Sequence, residues 1–92
     1  MSVRIDDLTI RDYHVKTHEM VLSLLVLKGE ASEEAGRRIF RGLKRYKIRD
    51  AVQVVDEVNP SYSGVYEIVR MELSKYGGTP TFYRFNMELR RC

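Results

Sequence analysis

Two hydrophobic rhythms run along the chain, and each predicts its own kind of element. Over residues 1–10 the alternation is weak, Val3 and Ile5 against Arg4 and Asp6, which fits a short strand or an irregular arm. From about Asp12 the apolar positions take helical spacing. Tyr13, Val15, Met20, Val21, Leu24, Leu25 and Leu27 make a broad apolar face, and Gly29 stops it. Ser32 then stands as an N-cap, with Glu33 and Glu34 in the first turn, where carboxylates suit the positive end of the helix dipole. Ala35, Ile39, Leu43 and Tyr46, flanked by Phe40, carry this second helix, although Gly36 and Gly42 weaken it. Asp50 caps a short third segment in which Ala51, Val54, Val55 and Val58 fit a helix; the valines also permit a strand. After the break at Asn59-Pro60-Ser61, with Asn59 or Ser63 as cap, Val65, Ile68, Val69, Leu73 and Tyr76 predict a fourth helix that ends at Gly77-Gly78. The most legible strand comes last. Thr81, Tyr83, Phe85, Met87 and Leu89 alternate with Phe82, Arg84, Asn86, Glu88 and Arg90, so one face covers a core. Its partner is to be sought in the N-terminal arm, the valine-rich stretch near residues 52–58, or a second protomer.

Composition narrows the function classes. A chain of 92 residues is expected to be one domain, residues 1–92, burying roughly 60–65% of its unfolded surface. That leaves little room for an enlarged catalytic cleft. No Ser/His/Asp arrangement or paired carboxylates with a plausible cleft occur, and Gly77-Gly78 lacks the Lys-Ser/Thr of a phosphate loop. An enzyme is not expected, nor a cofactor. His14 and His18 stand at i and i+4 near Asp12, a geometry able to bind metal, but without a third ligand they read as ordinary surface histidines. The longest apolar run, Leu24 to Leu27, is far short of the ~20 residues that span a bilayer. Residues 1–12 carry acids and no apolar stretch, unlike a signal peptide, and the single cysteine, Cys92, fits a reducing, cytoplasmic compartment.

Charge changes the picture most. The net charge is +3, but seven of the sixteen cations, Arg37, Arg38, Arg41, Lys44, Arg45, Lys47 and Arg49, fall in thirteen consecutive residues without an acid. The rest of the chain sets nine cations against thirteen acids. On the second helix Arg37, Arg41, Lys44 and Arg45 fall within about a 100° sector, with Arg38 on its edge. A solvated face is the plainer reading of any charge run. Solvated faces, however, mix signs to gain i,i+4 pairs, and this one does not, so a polyanion is the expected partner.

Residues 60–77, followed by Thr79-Pro80-Thr81-Phe82-Tyr83-Arg84-Phe85, resemble the recognition helix and returning strand of winged helix-turn-helix DNA-binding proteins. Residues 17–29 are similar to their first apolar helix. The resemblance covers about three quarters of the chain, with the wing shortened, since only Gly77 to Pro80 separate helix and strand. It implies a mainly helical α+β domain with a winged-helix-like three- to four-helix core and a C-terminal β-strand. It also implies a small transcriptional regulator of the kind found in archaea, bacteria and their viruses; such regulators are commonly homodimers. The fourth helix would then enter the major groove, presenting Ser61, Tyr62, Ser63, Tyr66, Glu67 and Arg70, with Arg70 able to contact guanine. The expected partner is DNA in preference to RNA. The rivals are an RNA-binding accessory protein using the same basic face and a protein-interaction subunit whose strand 81–89 completes a partner's sheet.

Overall fold

Period-two alternation governs most of the chain. The computed structural model describes residues 1–92 as seven antiparallel strands and a single α-helix. The strands are β1 (Ser2–Ile5), β2 (Leu8–Arg11), β3 (Val15–Val21), β4 (Leu24–Ser32), β5 (Ala51–Asp56), β6 (Gly64–Gly77) and β7 (Thr81–Arg91). The helix, α1 (Glu33–Lys44), lies between β4 and β5, and short 3-10 turns occupy Asp12–His14 and Pro60–Tyr62. The sheet order is β2-β1-β5-β6-β7-β4-β3. This overturns the mainly helical fold and with it the winged helix-turn-helix: there is no recognition helix, and three of the four expected helices are strands.

Each correction has a local cause. Residues expected as the first helix form the β3–β4 hairpin, turning at Leu22-Ser23 with Val21 opposite Leu24. On β4 the buried Leu25, Leu27, Gly29 and Ala31 alternate with Lys28 and Glu30 on the other face. The valine segment takes its strand alternative: Val52 and Val54 turn into the core. The expected fourth helix is the 14-residue strand β6, in which Tyr66 and Ile68 and then, past an irregularity between Ile68 and Arg70, Met71 and Leu73 share the core side. Two elements form as expected. The second helix spans Glu33–Lys44, and β7 keeps its alternation, with β4 and β6 as its two neighbours.

All sixteen core residues lie on one side of the sheet or on α1, which crosses that side and buries Gly36, Ile39 and Leu43. The sheet curls around the helix into a half-barrel. On β3 His18 Nε2 lies 2.6 Å from Asp56 Oδ2 on β5, although β6, β7 and β4 intervene in the strand order. Asp56 is buried and also accepts from the Asn59 amide at 2.7 Å, so this carboxylate ties the edge strand β3 across the curl to β5. His14 and His18 are therefore not surface histidines. Both are half-buried on different elements, and burial, then the charge of Arg38, lowers the His14 pKa from its ordinary value. No helix is long and apolar enough to cross a membrane.

The two helical glycines turn out to be docking positions. A Cβ on Gly36 would lie 2.5 Å from the Ala31 carbonyl oxygen and 2.5 Å from Tyr83 Cδ1; one on Gly42 would meet Leu8 Cδ1 at 2.7 Å. Their helix-propensity cost, roughly 1 kcal/mol each, is exchanged for close approach of α1 to the sheet.

Candidate functional site

The buried side of α1 fixes where its cations go, and the structure divides them into two groups. Arg38 Nη1 donates to the Thr9 carbonyl on β2 at 2.7 Å. Arg45 ion-pairs with Asp7 in the β1–β2 turn, and its guanidinium lies over the Tyr46 ring, 5.4 Å from the centroid. The Asp7 hydrogen bond, with help from Tyr46, holds the Arg45 pKa above its ordinary value. Tyr46 itself donates to Asp6 Oδ2 at 2.8 Å. These two cations therefore clamp the helix to the β1–β2 end of the sheet.

Arg37, Arg41 and Lys44 do something different. At i, i+4 and i+7 they form one stripe along α1, and that stripe is one wall of a cleft of about 290 Å³. The remaining lining residues are Phe40, from the edge of the same stripe, and Lys75 and Tyr83 from the β6–β7 hairpin. Lys75 and Tyr83 are directly opposed in the ladder, so the register turns both toward α1. Four cations and two aromatic rings thus face one another with no carboxylate among them. Arg37 shares an exposed i,i+3 contact of 3.2 Å with Glu34, a pair worth little at the surface. Arg41 and Lys75 have no acidic partner, and Lys44 lies 5.7 Å from the Phe40 ring centroid. Such a cleft has the charge to take an anion with several charged oxygens.

The residues implied by the winged-helix resemblance are not brought to this cleft. Tyr66 is fully buried; its hydroxyl donates to the Tyr62 carbonyl at 2.6 Å and accepts from Arg91 Nη2 at 2.7 Å. Ser63 Oγ accepts from the Asp56 amide at 2.9 Å, and Ser61 Oγ donates to Asn59 Oδ1 at 2.8 Å, both within the turn before β6. Glu67 faces Arg90 at 3.6 Å across the β6–β7 ladder. Arg70 is held by Glu72 and by Glu88 at 3.4 Å on the outer face of the sheet. None of these residues, nor Tyr62, sits on an α-helix; Ser61 and Tyr62 lie in the 3-10 turn and the others on or beside β6. Sequence reasoning missed Lys75, whose only sequence signal was a helix end, and Tyr83, which it saw simply as one face of a strand.

A second concavity lies on the outer face, about 370 Å³, where Lys16, Lys28, Glu30, Glu72, Ser74 and Arg84 meet across β3, β4, β7 and β6. Its charges are compensated except at Lys28. Glu30 accepts from Arg84 Nε at 2.9 Å and from the Tyr76 hydroxyl at 2.7 Å, and Lys16 Nζ lies 3.9 Å away. The Arg84 hydrogen bond, then that from Tyr76, holds the Glu30 pKa below the ordinary carboxylate value. Glu72 is taken by Arg70.

Comparison with protein-family models, with curated proteins and with solved structures finds no match to this chain.

Proposed function

We propose that the chain is a nucleic-acid-binding domain whose contact surface is the cleft between α1 and the β6–β7 hairpin. One observation carries this reading: Arg37, Arg41, Lys44 and Lys75 converge from two separate elements on one acid-free cleft. Within the cluster Arg41, Lys44 and Lys75 have no acidic partner and Arg37 has only the exposed Glu34, a local electrostatic cost that a phosphate backbone offsets. Contact is then with phosphates rather than by a helix reading the major groove, and the part in gene regulation expected from the winged-helix resemblance loses its structural basis. The test is the salt dependence of binding. Arg41→Ala, Lys44→Ala and Lys75→Ala together should leave the melting temperature nearly unchanged and weaken nucleic-acid binding at least tenfold. The slope of log affinity against log salt should shrink by roughly 0.7–0.9 per lost phosphate contact. An unchanged slope sinks the cleft as the site.

A second reading rests on the edge of β6. Its pairing with β5 ends at Glu67, and from Arg70 to Gly77 it pairs with β7 alone. An unpaired edge of this length accepts a strand from a partner or a second copy. This edge replaces the interaction expected of strand 81–89, which is internal and paired on both sides. Leu73→Pro should abolish any self-association seen by sedimentation; a change in nucleic-acid binding alone speaks against pairing there.

A further inference from the structure

We infer that the nucleic acid taken by this cleft is single-stranded, held with an unstacked base against Phe40 and Tyr83; the inference rests on the cleft reading above. A phosphate needs only cations. The cleft adds two aromatic rings, 5.3 Å apart between centroids and tilted by 60°, each half-buried among the four cations. The bases of a duplex are stacked inside it, so a duplex offers this cleft phosphates alone and leaves the rings without a partner. A single strand offers both, and cationic grooves with aromatic platforms are the common physical solution to binding one.

Further features fit a single strand. The cleft volume of about 290 Å³ corresponds to roughly ten waters at ~30 Å³ each, the scale of one base with its phosphate. Along α1, Arg37, Arg41 and Lys44 are about 6 and 4.5 Å apart in axial rise, which lets them follow consecutive phosphates on one strand. The hydroxyls of Tyr46, Tyr66 and Tyr76 donate hydrogen bonds within the chain at 2.8, 2.6 and 2.7 Å; that of Tyr83, like those of Tyr13 and Tyr62, makes none, and of these three only Tyr83 lines the cleft. The Tyr83 ring is also set in place beforehand. Gly36 lets it pack directly on the helix, so little ordering remains to be done on binding.

The experiment compares a labelled oligothymidylate of about fifteen nucleotides, within the site sizes of single-strand binders, with the same length of oligouridylate and of random duplex DNA. Salt is varied between about 50 and 200 mM. The single strands should bind the unaltered protein at least tenfold more tightly than the duplex. Phe40→Leu and Tyr83→Leu should each weaken single-strand binding by roughly 5- to 150-fold, the value of one stacked base, with the salt slope unchanged and duplex binding within twofold. The comparison on the unaltered protein needs no variant to fold. Tighter binding of either single strand than of the duplex supports the inference. Equal affinity for single strand and duplex overturns it, and if Arg41→Ala, Lys44→Ala and Lys75→Ala still lowers the salt slope, the cleft itself stands. If that triple variant changes nothing, the cleft reading fails first.

Discussion

The two faces of the sheet carry comparable concavities with opposite electrostatics. The outer one holds three cations, but Glu30 and Glu72 lie among them and engage Arg84, Lys16 and Arg70. The inner one is smaller and holds four cations with no acid. Cation count hardly distinguishes them, and the larger concavity is the outer one. The lesson is that compensation marks a site better than charge or size does. The outer groove's charges, Lys28 apart, pair across β3, β4, β6 and β7, whereas those of the inner cleft, Arg37 apart, have no acidic partner, and that is where we place the proposed partner.

Breaking this contrast most severely means reversing the inner charge. Arg41→Glu with Lys44→Glu should lower nucleic-acid affinity on the order of a hundredfold, about 2.7 kcal/mol, because attraction is replaced by repulsion. Lys16→Ala with Lys28→Ala on the outer face should leave affinity within twofold under the same conditions; parallel losses in a competition assay would erase the distinction between the faces. Gly36→Ala comes next. The new methyl meets backbone and the Tyr83 ring, so chemical denaturation should register a loss of ~1–3 kcal/mol, whereas Gly78→Ala, with nothing within 4 Å, should stay within half of one. Equal losses would show that α1 is not docked as closely as described. The contrast is sharpened from the other side by Glu30→Gln with Glu72→Gln. Freed from its acids, the outer groove should gain a fewfold in affinity for random nucleic acid, with a steeper salt slope, if compensation is what silences it. The smallest expected effect concerns His14, beside Arg38. Its folded-state pKa is lowered from 6.5, so the unfolded chain binds the extra proton. Stability from this group is complete above about pH 6.5 and is lost as pH falls through the lower folded value. In His14→Asn that part of the decline should vanish from melts recorded across the acid range; an unaltered decline assigns it elsewhere.

Bulges account for part of what the sequence hid; β4 and β5 have none and were obscured by apolar runs, Leu24 to Leu27 and Val54-Val55, that fit either period. β7 has an unbroken alternation and was readable as a strand; α1 has a cap residue, first-turn acids and regular spacing, and was readable as a helix. In β3 the register shifts between Val15 and Thr17, so Val15, His18 and Met20 share the inner face at spacings of three and two. In β6 the shift between Ile68 and Arg70 puts Tyr66, Ile68, Met71 and Leu73 on one side at spacings of two, three and two. A single extra residue breaks strict alternation by inserting a three-residue step of the kind a helix shows, and both stretches read as helices on that account. The site was half legible for a related reason. The stripe of Arg37, Arg41 and Lys44 belongs to one local helix, whereas the facing wall of Lys75 and Tyr83 exists only once the register of a hairpin distant in sequence is known.

The final strand in chain order is a central one. β7 lies between β4, with Leu24 opposite Arg90, and β6, with Ile68 opposite Leu89. Without it the molecule is two separate ribbons, β3–β4 and β2-β1-β5-β6, each with a bare inner edge. As the chain leaves the ribosome, α1 tethers these halves but nothing zips them together until residues 81–91 arrive. Assembly of this domain therefore waits on its latest-made segment. Such distant pairings put folding in the slower, millisecond-to-second range of small domains. Until β7 docks, the apolar inner face and two open edges are exposed to neighbouring chains, so the interval between synthesis and closure is when this protein is most prone to aggregate.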